Sequence, residues 1–299
     1  MINLQLAISA AVLVAATAAD RLHICQNQFS VKDDFYVFNT DCRDFDDDAL
    51  ARTNFNEDRQ LWIRNGTVKD IEQLLNASLY HVTNLKITDL AEEGSTPIPV
   101  FPIDSMRFSI LELSNDGIEA LNISENDYRL THLDVRRNKL TELDNVKYLT
   151  KLESLKVDGN LIESVLLEDF KNLTNLLVLS LAGNRIKSIS ASQEVFLNKL
   201  RTVDISNNQL TSLNVTEWSF PQLASFYLHD NSLSKVEGLK GKFPKAWDIA
   251  MGGRNNWNCD WFDVLLEFLK RDRQFAMQMF GDRPNCPNET RMDGFICCT

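Results

Sequence analysis

The chain has 299 residues, of which 44% are apolar, and it carries 31 basic and 42 acidic side chains. The formal charge of -11 argues against nucleic acids and anionic membrane surfaces as default partners. The apolar share is large enough for a long core, so we expect one continuous domain with a cap at each end.

The first predicted element is a signal peptide at residues 1–19. An apolar run from Leu4 to Ala16 leads into small residues just before Asp20, a pattern typical of a cleaved secretion signal. The run is too short to span a bilayer, and no later segment approaches membrane length. The sequence therefore predicts a secreted chain without a membrane span.

An N-terminal cap is predicted at residues 20–60. Cys25 and Cys42 are the two cysteines of this region, and we expect them to bond to each other and close the cap. The cap is rich in aspartate, with Asp33, Asp34, Asp41, Asp44, Asp46, Asp47 and Asp48. Their spacing matches no calcium-loop pattern, so we favour a solvated polar surface over a calcium site.

Residues 61–254 repeat the phrase Leu-x-x-Leu-x-Leu-x-x-Asn-x-Leu at intervals of about 22 to 26 residues, as leucine-rich repeats do. The clearest copies are Leu130/Leu133/Val135/Asn138/Leu140, Leu152/Leu155/Val157/Asn160/Ile162, Leu176/Leu179/Leu181/Asn184/Ile186, Leu200/Val203/Ile205/Asn208/Leu210 and Leu223/Phe226/Leu228/Asn231/Leu233. The weaker copies contain Leu61/Ile63, Leu85/Ile87, Leu111/Leu113 and Ile249/Met251. The phrase predicts an α/β solenoid, a leucine-rich-repeat horseshoe with about nine strands in a parallel concave sheet and disulfide-bearing caps at both ends.

The repeat also predicts the role of individual positions. Leucine-type side chains alternate inward, and the asparagine can satisfy backbone groups that would otherwise be buried without a partner. On the return side, a short helical turn is one option for Leu166 to Phe170 and for Val195 to Leu197. The interval between Leu85 and Leu111 contains three prolines, so we expect an extended loop there.

A C-terminal cap is predicted at residues 255–299. A helix is expected from Phe262 to Arg271, with Asp260 as its N-cap. Its apolar stripe is expected to consist of Trp261, Val264, Leu265 and Phe268. The cap also holds Cys259, Cys286, Cys297 and Cys298. Three internal pairings are open to these four, with the adjacent pair taking different partners, and the alternative is a bond to a second chain.

The outward side chains of the predicted strands form the candidate binding surface, because they build a fairly flat, mixed-charge face with one aromatic corner. Such a face suits protein recognition, in which aromatic and arginine anchors supply most of the binding energy. The candidate binding residues are His132, Asp134, Arg136, Lys156, Asp158, Val178, Asp204, Tyr227 and His229.

Six Asn-x-Ser/Thr acceptor sites for N-glycans are consistent with secretion. They are Asn65, Asn76, Asn122, Asn172, Asn214 and Asn288. Because Asn122, Asn172 and Asn214 fall in return segments, we expect the strand face to be free of sugar.

Catalysis has little support in the sequence. The four histidines are scattered, and no Gly-x-Ser-x-Gly, phosphate-loop or His-Glu-x-x-His motif occurs. The cysteines form no Cys-x-x-Cys pair of the kind that binds zinc. We therefore predict a protein that is not an enzyme and that uses no cofactor and no metal.

The run Asn255-Asn256-Trp257-Asn258-Cys259 resembles the cysteine-containing C-terminal flank of extracellular leucine-rich-repeat proteins, although Trp261 stands where that flank usually has a second cysteine. With the Cys297-Cys298 doublet, the chain resembles the secreted leucine-rich-repeat immune proteins of mosquitoes, in the branch without a coiled coil. In the usual pattern, Cys259 and Cys286 each bond to one cysteine of the doublet.

This resemblance implies a haemolymph protein of complement-like defence. Its expected partners are a thioester-containing complement-like protein, another leucine-rich-repeat chain in a disulfide-linked dimer, or a microbial surface. We therefore expect a non-enzymatic recognition protein of innate immunity that binds through the concave face. The alternatives are a protein of extracellular matrix or adhesion, and a soluble receptor-like decoy.

Overall fold

Short strands at regular intervals dominate the structure, which is a computed structural model. It describes residues 29–32, 35–39, 60–64, 84–88, 100–101, 103, 108–126, 128–143, 145–271, 291–293 and 296–298. The chain forms two units, Met1–Asn122 and Ile123–Thr299. The predicted signal peptide, Cys25, Cys42, Cys286 and the acceptors Asn65, Asn76 and Asn288 lie outside the described residues.

Unit one contains seven described strands. They are β1 (Phe29–Lys32), β2 (Phe35–Asn39), β3 (Gln60–Arg64), β4 (Asn84–Thr88), β5 (Val100–Phe101), β6 (Ile110–Ser114) and β7 (Ala120–Leu121). β1 and β2 pair antiparallel, and β2, β3, β4 and β6 follow in parallel. The repeat leucines are in register, because Leu61 pairs with Leu85 and Leu85 with Leu111.

Unit two contains fourteen described strands. They are β8 (His132–Asp134), β9 (Ser154–Lys156), β10 (Ser164–Leu166), β11 (Val178–Ser180), β12 (Ser188–Ser190), β13 (Val195–Phe196), β14 (Thr202–Asp204), β15 (Leu213–Asn214), β16 (Trp218–Ser219), β17 (Ser225–Tyr227), β18 (Val236–Glu237), β19 (Asp248–Ala250), β20 (Arg291–Asp293) and β21 (Ile296–Cys298). The helical elements are two 3-10 helices, η1 (Val146–Tyr148) and η2 (Leu167–Phe170), and the helix α1 (Cys259–Arg271).

Unit two is a leucine-rich-repeat solenoid, as the sequence predicts. One strand from each of six coils forms a parallel sheet in the order β8, β9, β11, β14, β17 and β19. On the return side, β10 pairs with β12, β13 with β16, and β15 with β18, all in parallel. Each coil thus buries its leucines against the coils beside it, which no single repeat could do alone.

All nine strands that the repeat phrase predicts are present, but the return side corrects one prediction. Leu167–Phe170 does form a helical turn, η2. The option of a helical turn at Val195 is wrong, because Val195–Phe196 pairs with Trp218–Ser219 as the parallel strand β13. In the proline-containing interval of unit one, Val100–Phe101 forms the short strand β5, while residues 89–99 lie outside the described part.

A ladder of asparagines stitches the six coils together. Asn160 donates from its amide nitrogen to the carbonyl of Val157 at 2.8 Å and to that of Val135 in the preceding coil at 3.0 Å. Its Oδ1 accepts the backbone N–H of Leu140 at 3.0 Å. The same pattern recurs at Asn184, Asn208 and Asn231. The predicted structural role of these asparagines is confirmed.

Asn255 extends this ladder although it stands one position late in its repeat. Its Oδ1 accepts the N–H of Leu233 at 2.9 Å, and its amide donates to the carbonyl of Leu228 at 3.0 Å. The extra residue is absorbed because the amide also reaches the carbonyls of both Met251 and Gly252. The register of the ladder therefore survives an irregular last coil.

One position of each repeat has a left-handed backbone. Counting the first leucine of the phrase as position one, position eight has a φ of 57° at Arg137, 68° at Gly159, 64° at Gly183 and 72° at Gly253. Asn207 and Asp230 complete the set with φ values of 53° and 55°. The sharp change of direction lets the asparagine at position nine turn into the core.

The C-terminal cap corrects two further predictions. Asn258, not Asp260, caps α1, because its Oδ1 accepts the N–H of Trp261 at 2.9 Å. Val264 is 56% exposed and lies off the buried side of α1, whereas Phe262 and Leu265 are buried. The predicted stripe is therefore right at Leu265 and wrong at Val264, and the buried Phe262 was not predicted to belong to it.

The described disulfide joins Cys259 to Cys298, which agrees with a bond between Cys259 and one member of the doublet. Next to it, Trp257 is buried, donates its indole N–H to the carbonyl of Met251 at 2.8 Å, and stacks on Trp261 with ring centroids 5.2 Å apart. Trp261, which stands where this kind of flank usually has a second cysteine, thus contributes an aromatic contact instead of a disulfide.

Candidate functional site

The outward side of the six-strand sheet in unit two, which we call the open face, consists of positions three, five and seven of each repeat. Position three gives the row His132, Ser154, Val178, Thr202, Ser225 and Asp248. Position five gives Asp134, Lys156, Ser180, Asp204, Tyr227 and Ala250. Position seven gives Arg136, Asp158, Ala182, Ser206, His229 and Gly252. All nine predicted binding residues lie on this face.

At the β8 end of the open face, a carboxylate and a guanidinium neutralise each other. The Nη2 of Arg136 lies 2.7 Å from Oδ2 of Asp134, and its Nε donates to both carboxylate oxygens at 2.8 and 2.9 Å. Asp134 is only 9% exposed, so its carboxylate is committed to Arg136. The exposed side chains of the open face at this end are those of His132 and Arg136.

In the middle of the open face, Asp158 accepts hydrogen bonds from two neutral donors. Its Oδ1 accepts the hydroxyl of Ser180 and, at 3.0 Å, the backbone N–H of Ala182. Burial raises the pKa of Asp158 from its ordinary value of 3.8, and the nearby Asp204 raises it further, while the two hydrogen bonds and the charge of Arg136 lower it. The net direction is upward because the effect of burial is larger than that of the two hydrogen bonds and of the Arg136 charge.

The β19 end of the face joins a phenol to a buried carboxylate. Tyr227 donates its hydroxyl to Oδ2 of Asp248 at 2.6 Å. Burial is the first cause that raises the pKa of Tyr227, and its bond to Asp248 is the second, so the phenol keeps its proton at neutral pH. Next to Tyr227, Asp204 accepts both the backbone N–H and the hydroxyl of Ser206, at 2.9 and 2.6 Å.

Two residues at this end escaped the sequence prediction. Asp248 is only 5% exposed and occupies position three of the last coil, whose degenerate phrase drew attention to Ile249 and Met251 alone. Trp247 precedes it and remains 49% exposed. A count of positions from Ile249 would have found Asp248, whereas the exposure of a tryptophan has no sequence signal.

The two glycan acceptors described in unit two lie off the open face. Asn172 follows η2 on the return side and is exposed, and Asn214 ends β15 in a two-strand sheet and is exposed as well. In unit one, Asn122 is exposed just after β7. Sugars at Asn172 and Asn214 would leave the six-strand face of unit two accessible.

Two further properties of the described residues concern metals and membranes. No group of three or more His, Cys, Asp or Glu side chains within the described ranges is placed to hold a metal ion. Among those same residues, no helix combines the length and the apolar character needed to span a bilayer.

Comparison with known proteins agrees with the fold. A sequence model described as leucine rich repeat matches residues 150–210 and 174–233, which lie in unit two. No curated protein matches the sequence.

Three solved structures of mosquito proteins are similar in fold. The LRIM1/APL1C complex aligns at a TM-score of 0.61 and 18% identity over 85% of this chain and 43% of that one. The APL1 leucine-rich repeat domain aligns at a TM-score of 0.62 and 18% identity over 80% of this chain and 65% of that one. The APL1B leucine-rich repeat domain aligns at a TM-score of 0.55 and 15% identity over 97% of this chain and 96% of that one. This chain thus spans less than two thirds of the first two, and at these identities the likeness concerns the fold.

Proposed function

We propose that this chain is a secreted, non-enzymatic recognition protein of innate immunity that binds a protein partner or a microbial surface through the open face. The observation that carries the proposal is the contrast within each strand of unit two. Residues that face the core repeat from coil to coil, whereas the outward residues differ in charge, size and chemistry at every strand. A varied, solvated sheet face is the kind of surface that proteins use for specific binding.

The proposed immune role rests on the similarity of the fold to the mosquito proteins. The proposed compartment and partners rest on the same similarity. The solved LRIM1/APL1C structure is a complex of two proteins, which supports a protein partner for this fold. We propose haemolymph as the compartment, and a thioester-containing complement-like protein or a second leucine-rich-repeat chain as the partner. A disulfide-linked dimer through a cysteine of the C-terminal cap is part of this proposal, beside the bond that joins Cys259 to Cys298 within the chain.

Capture from insect haemolymph tests the proposal. The purified full chain is immobilised, and bound proteins are quantified for the wild type, for the face variant Lys156→Glu and for the control Lys171→Glu. Lys156 lies on the open face and Lys171 is exposed on the return side, so the two variants change the charge equally. We expect the face variant to lose about tenfold or more of the capture, as binding anchors do, and the control to retain it.

The identity and location of the captured material decide among the alternatives. A complement-like protein or a leucine-rich-repeat chain supports the immune role. A cytokine-like ligand would favour a soluble receptor-like decoy, and a protein confined to tissue matrix without response to microbial challenge would favour adhesion. Equal capture by Lys156→Glu and Lys171→Glu would exclude the open face as the binding surface.

A non-reducing gel tests the proposed dimer separately. A band at twice the monomer mass that collapses with reductant supports a bond between chains. A monomer band in both lanes would contradict the dimer and leave the proposed recognition role intact.

A further inference from the structure

The last four coils of unit two carry a distinct set of side chains along one edge of the sheet, where the strands begin. This entry edge consists of the residues on either side of position one, whose own side chains are buried. Its members are Asn175, Leu177, Lys199, Arg201, Gln222, Ala224, Lys245 and Trp247. Three of these eight are basic and none is acidic, although the whole chain has a formal charge of -11. The entry edge is therefore a local cationic surface on an acidic protein.

Backbone hydrogen bonds between coils hold the residues that follow position one in a single row. The N–H of Arg201 donates to the carbonyl of Leu177 at 2.8 Å, and the N–H of Ala224 donates to the carbonyl of Arg201 at 2.8 Å. The N–H of Trp247 then donates to the carbonyl of Ala224 at 3.0 Å. Arg201 and Trp247 are exposed, and only the small side chain of Ala224 lies between them. The row thus presents a cation and an aromatic ring two coils apart, which is about 10 Å at ordinary strand spacing.

The residues that precede position one alternate between an amide and a cation. Lys199 donates from its ammonium group to Oδ1 of Asn175 at 2.8 Å, and Lys245 donates to Oε1 of Gln222 at 2.6 Å. Because both lysines reach back by one coil, their ammonium groups stay two coils apart, at about 10 Å. Each amide oxygen occupies one of the three donors of an ammonium group and removes none of its charge.

The charge of the entry edge is not neutralised within the described part of the chain. None of its three basic side chains takes part in an ion pair there, whereas carboxylates pair with Lys187, Lys235 and Arg254. The nearest acid in the row after position one is Glu153, one coil before Leu177. An exposed row of cations without acids between them attracts an anionic partner.

Trp247 adds a flat apolar contact beside these cations. Its side chain is 49% exposed, and among the described residues no aromatic ring packs on it, whereas Trp218 and Trp257 each contact other rings. One face of a sugar ring is lined by C–H groups, and such a face packs well on an indole. Exposed tryptophans of this kind commonly supply much of the energy of binding surfaces.

The arrangement of the cations favours a carbohydrate over an acidic peptide. In an extended peptide, side chains on one face recur about every 6.8 Å, which falls short of the spacing of the two ammonium groups. A sugar ring in an extended linear polysaccharide advances by close to one coil. Anions on every second ring can therefore reach Lys199 and Lys245, and hydroxyl groups remain for the amide of Gln222.

We infer that the entry edge binds a linear acidic polysaccharide that carries a carboxylate on every second sugar ring. One carboxylate lies between Lys199 and Arg201, the next lies at Lys245, and a sugar ring stacks on Trp247. These anchors are in the coils that follow the glycan acceptor Asn172. The entry edge is a second binding surface beside the open face, and it does not depend on the partner that the open face binds.

Hyaluronan oligosaccharides, which carry a carboxylate on every second ring, test the inference by isothermal titration calorimetry with the full chain. Carboxyl-reduced hyaluronan of the same length lacks the charge, and a poly-glutamate peptide of equal total charge lacks the sugar. We expect hyaluronan to bind about tenfold more tightly than its reduced form and about fivefold more tightly than the peptide. Binding should weaken as the salt concentration rises, because exposed charged pairs are screened.

Variants of exposed residues locate the site. Lys199→Gln and Lys245→Gln should each weaken hyaluronan binding about three- to fivefold, since each removes one charge and keeps a donor for the neighbouring amide. Trp247→Ala should weaken it about tenfold. The matched controls are Lys139→Gln, at an exposed lysine beyond the strand of its coil, and Leu166→Ala, at a 45% exposed side chain of β10 on the return side. All five side chains are exposed, so thermal unfolding of the variants should match that of the wild type.

Equal binding of hyaluronan and its reduced form, or equal binding by Lys199→Gln and Lys139→Gln, would overturn the inference. Binding of poly-glutamate as tight as that of hyaluronan would overturn it as well, and would indicate an acidic protein segment as the partner of the entry edge. The haemolymph capture with Lys156→Glu tests the open face by a different variant and a different readout. Failure of hyaluronan with loss of capture would therefore reject the polysaccharide site and keep the recognition role.

Discussion

The two sides of the six-strand sheet in unit two differ in how regularly their residues recur, although they share the same strands. On the inner side, Leu155, Leu179 and Val203 pair in register and are buried, and an asparagine follows each of them at a fixed distance. On the outer side, Lys156, Ser180 and Asp204 pair in the same register and share no chemistry. Stacking fixes the inner side, and only solvent or a partner constrains the outer one.

This difference predicts where the fold is sensitive to substitution. The inner side combines apolar packing with buried backbone groups whose partners come from neighbouring coils. The outer side carries mostly half-exposed groups, and only a few hydrogen bonds there join neighbouring coils, such as those of Asp158 with Ser180 and of Tyr227 with Asp248. We therefore expect the cost of a substitution to fall from the ladder, through the left-handed turn, to the open face.

Asn208→Ala should have the largest effect. It removes the amide bonds to the carbonyls of Leu181 and Ile205, at 3.0 and 3.1 Å, and the acceptor for the N–H of Ile186 at 3.0 Å. We expect the free energy of unfolding in urea to fall by about 3 to 5 kcal/mol, because buried backbone groups lose their partners.

The control for the ladder is Asn175→Ala. Asn175 is half-buried, and its amide donates to the carbonyl of Thr150 at 3.4 Å on the return side. Its loss should cost under about 1 kcal/mol. Equal costs at the two sites would show that the ladder contributes no more than a surface hydrogen bond.

Gly253→Ala should come next, and Gly183→Ala is its control. Both glycines have positive φ, so an alanine is strained at either place by about 1 to 2 kcal/mol. At Gly183 the new Cβ would find its nearest neighbour at 3.5 Å, in ordinary contact. At Gly253 it would overlap the carboxylate of Asp230 and lie 2.8 Å from its backbone nitrogen.

We therefore expect thermal unfolding of Gly253→Ala to reveal a loss about 1 to 2 kcal/mol larger than that of Gly183→Ala. Identical melting temperatures for the two variants would mean that Asp230 and the last coil move to accommodate the new Cβ without a loss of stability.

Tyr227→Phe should have a moderate effect on the outer side. It removes the hydroxyl bonded to Oδ2 of Asp248 at 2.6 Å and leaves a buried carboxylate without that donor. We expect a loss of about 1 to 2 kcal/mol in urea unfolding. In an Asp248→Asn background the same change should cost less than half as much, since no buried charge remains. A cost that is independent of residue 248 would contradict the described pairing.

Asp158→Asn should have the smallest effect, and its sign depends on pH. Because burial raises the pKa of Asp158 in the folded chain, the charged carboxylate costs stability at neutral pH, and that cost fades as pH falls through the raised pKa towards 3.8. Asparagine keeps the acceptor for Ser180 and Ala182 without the charge.

The variant should therefore exceed the wild type by a few tenths of a kcal/mol at pH 7, after allowance for solvent screening of this half-exposed group. The difference should shrink towards zero below about pH 4, where both chains are neutral at this position. Urea titrations at the two pH values measure it, and a variant that is weaker at pH 7 would reverse the sign.

The sequence predicts the inner side well, because its rules are periodic. The nine strands and the asparagine ladder follow from one repeated phrase, and even Asn255 joins the ladder from one position late. The sequence predicts the return side and the cap less well, since local preference competes there with pairing between coils. Val195 becomes a strand because Trp218 offers a parallel partner, and Asn258 caps α1 in place of Asp260.

The open face is predictable in membership but not in pairing. Position counting places Asp134 and Arg136 on one strand, yet it does not reveal that they neutralise each other at 2.7 Å. Nor does it reveal that Asp248 is buried beside Tyr227. Such pairings depend on side-chain conformations in three neighbouring coils, which a repeat phrase does not encode.

Because the coils are joined in register, the separation of any two outward residues changes in whole strands when a repeat is gained or lost. Removal of the coil that carries β11 would bring Asp158 and Asp204 onto adjacent strands, about 5 Å closer across the sheet, while the remaining coils could stack as before. Solenoids of this type can thus retune the spacing of charged groups on a surface by changing their length in units of one coil, although the return strands β10 and β16 would here need new partners.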